Sequence, residues 1–326
     1  MSAARVWVLS ADKPGDDAQA TLLADAVGWP YAVKRLGDSL APPWPDLVIA
    51  SGRLTEGAAR RIAARSARAV RLVQVGRPHG PLARLDLVVA PPQYELPEHP
   101  RVVQLALPLQ RVSRAALASA AAGWTPPDGQ PLPRPWLAVL VGGAARPYVL
   151  DARAARDLGV RVSAAARAAG GSLLVTTSRR TLPAATDALA ASLSAPAVMH
   201  RWSPGAPANP YLAFLGVADR IVVTADSASM LADAVSTGKP VEIFALPTRR
   251  GRLRNVARRL AWGGVMPDSL ATRLGIRPPR DLARLHHALY ARGLAVPFGS
   301  SPAFRPVVQG DDELAAVAAR VRALVG

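Results

Sequence analysis

Short β-branched and aliphatic runs alternate with helical patterns along the whole chain. In the first half the predicted strands are Arg5–Ser10, Asp46–Ser51, Val70–Val75, Leu85–Ala90 and Val102–Leu107. In the second half they are Trp136–Val141, Ser172–Thr177, Arg220–Thr224 and Val241–Ala245. Most are continuous apolar runs without polar alternation, the pattern of strands buried on both faces of a parallel sheet. Between them, Asp16–Val27, Glu56–Arg65, Asp151–Ala169 and Ala228–Thr237 read as helices. Such alternation predicts a doubly wound α/β architecture.

The alternation breaks at Trp124–Pro135, WTPPDGQPLPRP, whose prolines and turn residues leave room for neither a helix nor a central strand. This segment predicts a linker over residues 125–135. It divides a Rossmann-like domain over 1–124 from another over 136–309, the two facing a cleft. Residues 310–326 form a separate predicted helix that packs back towards the N-terminal domain. Its apolar face carries Leu314, Val317, Val321 and Leu324. Acidic Asp311, Asp312 and Glu313 stand at its start and Arg320 and Arg322 near its end. No internal repeat is visible.

Composition narrows the class. Half of the 326 residues are hydrophobic, which excludes disorder as the main state. No apolar run approaches the ~18 residues of a transmembrane helix. The opening MSAARVWVLSADKPGDD turns acidic and polar too soon for a signal peptide, so the expectation is a soluble cytoplasmic protein. With no cysteine, disulfides, thiolate metal sites and cysteine nucleophiles are excluded. The 40 basic residues exceed the 23 acidic ones by 17, and only Lys13, Lys34 and Lys239 are lysines. Two accounts stay open for this arginine excess: a high-GC composition, or attraction to an anionic partner.

The most informative segment is ADRIVVTADSASMLADAVSTGKPV, ending at Val241. A strand runs through a polar turn into a helix, with Gly238 and Pro240 as its stop. Its start lies at the carboxyl end of a parallel strand, where α/β folds place ligands. Backbone N–H groups and the hydroxyls of Ser227 and Ser229 make an anion site there. Asp226, Ser229 and Asp233 are spaced to share one helical face, and Asp233 is placed to accept hydrogen bonds from ribose hydroxyls. The same residues also read as a helix cap and a solvated carboxylate. Gly142-Gly143 follows another strand and allows a ligand to approach the backbone. After the next strand, Thr177, Ser178 and Arg179 offer hydroxyls and a guanidinium suited to phosphate.

These residues carry a resemblance. The segment VVTADSASMLADAVSTGKPV, Asn209-Pro210-Tyr211, Leu140–Gly143 and Val175–Thr181 together resemble the mitochondrial-fission family, which comprises the plant elongated-mitochondria protein and bacterial relatives. Gly15–Gln19, Ala50–Arg53 and Arg292–Phe298 are similar to further motifs of that family, so the resemblance spans almost the whole chain. It departs from the pattern at Arg249–Pro279, which is longer and richer in arginine, and at Asp233, where many relatives have Glu.

The resemblance implies a GT-B-like fold, with a nucleotide-sugar held by the C-terminal domain and an acceptor by the N-terminal one. The loop residues Gly142, Gly143, Thr177, Ser178, Arg179, Ser227 and Ser229 are then expected at the donor, and the resemblance carries Asp233 over to the ribose. The implied activity is an inverting, metal-independent glycosyltransferase; a lipid-linked or envelope acceptor is the expectation that the basic segment Thr248–Leu260 adds. The donor is a substrate and no further cofactor is implied. A different class stays open, a non-catalytic GT-B-like scaffold. His79, His99, His200, His286 and His287 show no metal-ligand spacing. Inverting transfer needs a general base, and Asp17, opening the first helix, is the candidate; it also reads as a favourable charge on the helix dipole. Thr248–Leu260 reads as a basic amphipathic helix that either rests on an anionic membrane surface, peripheral to its inner face, or covers a core stripe. Nucleic acid ranks last, because the chain lacks nucleic-acid-binding motifs and is only 5% aromatic.

Overall fold

The computed structural model describes residues 5–326 apart from 68, 95, 97, 110–111, 128–131, 144, 206–208, 250–280 and 301–310. Two six-stranded sheets, parallel at every pairing, form the frame, so the fold is two Rossmann-like domains, as the alternation predicts. The first sheet contains β1 (Val6–Ser10), β2 (Tyr31–Arg35), β3 (Leu47–Ser51), β4 (Arg71–Val75), β5 (Leu87–Ala90) and β6 (Val102–Gln104). The second contains β7 (Trp136–Val141), β8 (Ser172–Thr177), β9 (Ala197–His200), β10 (Arg220–Thr224), β11 (Val241–Phe244) and β12 (Val296–Pro297). Their orders are β2-β1-β3-β4-β5-β6 and β12-β11-β10-β7-β8-β9.

The order reverses between β1 and β3 in one sheet and between β7 and β10 in the other. At such a reversal the connections on the two sides leave in opposite directions and open a crevice at the strands' carboxyl ends.

The helices are α1 (Pro14–Val27), α2 (Arg53–Arg65), α3 (Arg114–Ala122), α4 (Ala152–Ala168), α5 (Pro183–Ser192), α6 (Tyr211–Val217), α7 (Ala228–Ser236), α8 (Leu282–Ala291) and α9 (Asp311–Arg322). Alternating residues of β1 reach two cores. Val6 and Val8 join α1 and α9 on one face of the sheet, while Trp7 and Leu9 join Ala58, Ala59 and Ile62 of α2 on the other. In the second sheet Leu137, Val139 and Val141 pack with Leu158 and Val162 of α4 and Leu189 of α5.

The chain divides into two compact units, the first reaching residue 111 and including α9, the second beginning at Val112. The proline-rich stretch predicts a boundary at 124. α3 and Trp124 lie ahead of it yet belong to the second unit, because the rings of Trp124 and Phe214 on α6 meet edge-on at 5.5 Å, and Trp124 meets Trp136 likewise. α9 packs on α1 through Val317, Ala318 and Val321. Glu313 accepts the Ala106 amide at 2.9 Å, and Arg322 donates to the Val27 carbonyl at the end of α1 at 3.1 Å. The predicted basic helix at Thr248–Leu260 lies outside the described residues beyond Arg249, and Thr248 itself bridges to Tyr148.

Candidate functional site

The loop after β7 and the loop after β10 meet at the switch point of the second sheet. The Gly142 amide donates to Thr224 Oγ1 at 2.8 Å, and the Gly143 amide donates to Asp226 Oδ2 at 2.6 Å. The Thr224 hydroxyl donates to Asp226 Oδ1 at 2.7 Å, so one buried carboxylate ties the two loops together. Burial pushes the Asp226 carboxyl up from its ordinary value, against its hydrogen bonds to Thr224 and Gly143 and the nearby Arg180 charge.

This geometry gives the glycines a role within the protein. A Cβ on Gly142 would stand 2.6 Å from both Asp226 oxygens, and one on Gly143 would overlap the Arg180 carbonyl oxygen. What approaches these glycines closely is the protein's own loops, and both amides are engaged by them.

The loop after β8 is bound into the same arrangement. Thr177 is buried and its hydroxyl accepts the Trp202 amide at 2.8 Å. Ser178 Oγ accepts the Arg180 amide at 3.2 Å, while the Ser178 amide donates to Thr181 Oγ1 at 2.9 Å. The Thr181 hydroxyl reaches the Gly142 carbonyl, closing the link between the loops after β7 and β8. Arg179 and Arg180 are exposed. Thr177, Ser178 and the two glycines therefore meet in one place. Thr181, the residue joining them, had only its neighbourhood to announce it.

At the start of α7, Ser227 occupies the cap position, but its side chain makes no capping hydrogen bond, and it is buried. Ser229 is exposed. Asp226, Ser229 and Asp233 do not share one helical face as their spacing predicts, because α7 begins at Ala228 and leaves Asp226 in the turn beneath the glycines. Asp233 is half-buried, and the Tyr211 hydroxyl donates to its Oδ2 at 2.8 Å. Burial raises the Asp233 carboxyl to about 6 despite that bond. Burial, and then the Asp233 charge, push the Tyr211 phenol well above its ordinary value. Tyr211, absent from the predicted site, is thus the direct partner of Asp233. The Asn209-Pro210-Tyr211 motif was its signal, and the Asn209 side chain turns back to accept the Tyr211 amide at 3.0 Å.

Asp17 lies in the other unit. Its carboxylate accepts the Ser10 hydroxyl at 2.7 Å and the Ala11 amide at 3.4 Å, pinning the turn from β1 into α1.

A family model described as mitochondrial fission ELM1 matches residues 10–271. The chain belongs to this family. It is 27% identical over 283 residues to the mitochondrial fission protein ELM1 of Arabidopsis thaliana, covering 76% of this chain and 65% of that relative's length. Among solved structures, the UDP-GlcNAc 2-epimerase of Methanocaldococcus jannaschii is similar in fold. It superposes with a TM-score of 0.50 at 10% identity, covering 98% of this chain and 99% of its own. The glycotransferase of kitacinnamycin does so with a TM-score of 0.50 at 12% identity, covering 100% and 94%. This ELM1-family chain accordingly has a GT-B-like fold, the architecture its strand and helix pattern and its motifs imply.

Proposed function

We propose that the second unit binds a nucleotide-activated sugar and that the protein is an inverting, metal-independent glycosyltransferase. The observation that carries this reading is Asp233. It is a half-buried carboxylate on the helix that starts at the β7–β10 reversal, held in place by Tyr211. A carboxylate so placed accepts hydrogen bonds from a vicinal diol such as ribose. Exposed Arg179, Arg180 and Ser229 near the loop ends match a diphosphate, whose departure needs preorganised positive charge. The fold-level likeness to a UDP-sugar epimerase and a glycosyltransferase supports the same class of ligand. An acceptor on the first unit, lipid-linked or otherwise anchored in the envelope, and association with an anionic membrane surface complete the reading.

A second reading, a non-catalytic scaffold that keeps the fold, is favoured by one observation. The amides of Gly142 and Gly143 and the hydroxyls of Thr177 and Ser178 are already engaged within the protein.

Calorimetric titration with UDP, GDP and ADP separates the two. One of these should bind, and Asp233→Ala should weaken it by the loss of charge-assisted hydrogen bonds worth about 1.5–3 kcal/mol, roughly 10- to 100-fold. Binding without turnover of the matching nucleotide-sugar favours the scaffold. No binding by any of the three removes the donor-site reading.

A further inference from the structure

The second unit carries a face whose chemistry the donor site does not use. It is the outer side of α4 and α5, the helices that join β7 to β8 and β8 to β9. They lie side by side, with Leu158 and Val162 of α4 and Leu189 of α5 in the core they share. At Gly159 the approach is so close that a Cβ would overlap the Ser192 hydroxyl of α5. The two helices therefore present one joint outer surface, and α4 does not stand out as an isolated ridge.

Steps of three and four residues return to one line along a helix. Arg153, Arg156, Val160, Ala164 and Arg167 follow such steps and are all exposed, while Leu158 and Val162 on the opposite side are buried. The helix holds four arginines and a single carboxylate, Asp157, which pairs with Arg161 at 3.7 Å. Asp151 caps α4 through the Ala154 amide, and Asp187 of α5 pairs with Arg201 at 2.6 Å. Arg153 and Arg156 have no carboxylate partner among the described residues. Beside the start of α4, the Arg249 amide donates to the Pro147 carbonyl and the Val149 amide to the Pro247 carbonyl, each at 2.8 Å. Arg146 and Arg249 are exposed there, so the positive charge continues across these loops to the residue that opens the densest arginine run of the sequence.

Two of the four large aliphatic side chains left most open among the described residues stand on this face. Val160 is 51% exposed and Leu182, just before α5, is 55% exposed. Val160 is one step along the line from Arg156, and Leu182 follows the exposed Arg179 and Arg180. A plane of negative charge with an apolar layer beneath it complements this arrangement. A nucleic-acid groove does not, because α5 flanks α4 and neither helix has an aromatic ring to stack on a base.

We propose that the α4–α5 face is where the second unit rests on a bilayer containing anionic lipid. Arg153 and Arg156 meet the lipid phosphates, and Val160 and Leu182 reach the boundary below them. The inference rests on the membrane association within the transferase reading and assigns it to residues of one unit. The contact is peripheral, because the apolar side of α4 is already in the core and only its charged side is left to adhere.

The chain has no cysteine, so a single introduced cysteine reports one position at a time. Val160→Cys and Leu182→Cys, each carrying a polarity-sensitive fluorophore, are mixed with phosphatidylserine vesicles. Ser119→Cys on α3 is the control, since α3 packs on α6 and lies outside the core that α4 and α5 share. Emission at 160 and 182 should rise about twofold and fall back in high salt, with no change at 119. Co-sedimentation of the double variant Arg153→Gln/Arg156→Gln with the same vesicles should be about tenfold weaker than that of the wild type. A wild type that co-sediments while both labels stay silent overturns the proposed face and leaves the membrane association standing, as does equal binding by the double variant. Labels that respond to duplex DNA or RNA but not to vesicles would overturn it in favour of nucleic acid. A response to protein concentration alone would overturn it in favour of a second copy. A wild type that does not co-sediment with anionic vesicles overturns both the face and the association.

Discussion

Asp233 is both the residue most exposed to test and the one whose environment is easiest to state in energies. Its carboxyl is raised from 3.8 to about 6 by burial. A rise of that size corresponds to about 3 kcal/mol between the neutral and charged forms. The native state therefore holds this proton more tightly than the unfolded chain. The associated stability is fully present below pH ~3.8 and is lost as the pH rises through about 6. Asp233→Asn, neutral throughout, should lack that dependence. Relative to wild type it should gain up to about 3 kcal/mol between pH 4 and pH 8, read as a widening gap in denaturation midpoint. A gap independent of pH would mean that the carboxylate is better solvated than its contacts indicate. Gly142 supplies a second residue-scale outcome. Gly142→Ala places a Cβ against the buried Asp226 carboxylate, which is fixed by Thr224 and Gly143 and cannot retreat cheaply. The expected loss is about 1–3 kcal/mol in urea denaturation of the folded chain, the cost of overpacking. A neutral substitution would show the loop to be looser than its hydrogen bonds imply. At this scale the sequence was informative about residue type and less so about partners. Spacing marked Asp233 and the Thr177–Ser178 pair, but the capture of the Gly143 amide by Asp226 is a contact 83 residues apart, which no local pattern encodes.

Among the elements, legibility followed burial. β1, β3 and β5 are buried at every position, and β4 and β7 at every position but the first, and their apolar runs were sufficient to place them. β2 and β9 lie at the outer edges of their sheets and are half-exposed, so their residues need not be apolar and no run announced them. The opposite error arose at β6. Its apolar run continues to Leu107, but the strand stops at Gln104; the Leu105 amide makes a last bond to the Ala90 carbonyl at 2.8 Å, and Ala106 and Leu107 stay buried beyond it. Burial and pairing usually coincide in a parallel sheet, and here they part. α9 shows a helix whose pattern predicted its packing face. Leu314, Val317, Val321 and Leu324 all join the core beneath α1. Replacing Val321 with Asp would put an unpaired charge into that core, and burial of such a charge is among the costliest single changes. We expect a loss of more than about 3 kcal/mol by thermal or chemical denaturation, and release of the last turn to proteolysis. Val321→Ala should cost clearly less, since it removes only methyl groups. Similar losses for the two would place the helix's contribution elsewhere.

For the molecule as a whole, the chain repeats one design twice: six parallel strands, an order reversal, and polar loops at the carboxyl ends on either side of it. Fold class was therefore written in the periodicity, whereas what the loops bind depends on contacts that only the assembled sheets create. The charge belongs to this scale too. Forty basic against 23 acidic residues leave +17, and the densest run of arginine falls between Arg249 and Arg259. No helix among the described residues is long and apolar enough to cross a membrane. For this segment the expected interaction with a bilayer is one of charge. Each basic side chain close to an anionic surface contributes about 1 kcal/mol, and charges more than ~8 Å away are screened at physiological salt. A cluster satisfies that distance limit, and arginines dispersed by composition do not. We expect co-sedimentation with vesicles containing phosphatidylserine, weaker with neutral vesicles and reversed by added salt. In a variant with Arg250, Arg254 and Arg258 changed to glutamine, binding should fall by more than tenfold, because three contacts of this size are removed together. Equal binding of the two proteins, or binding by neither, would assign the arginine excess to composition and direct the search for an acceptor to soluble molecules.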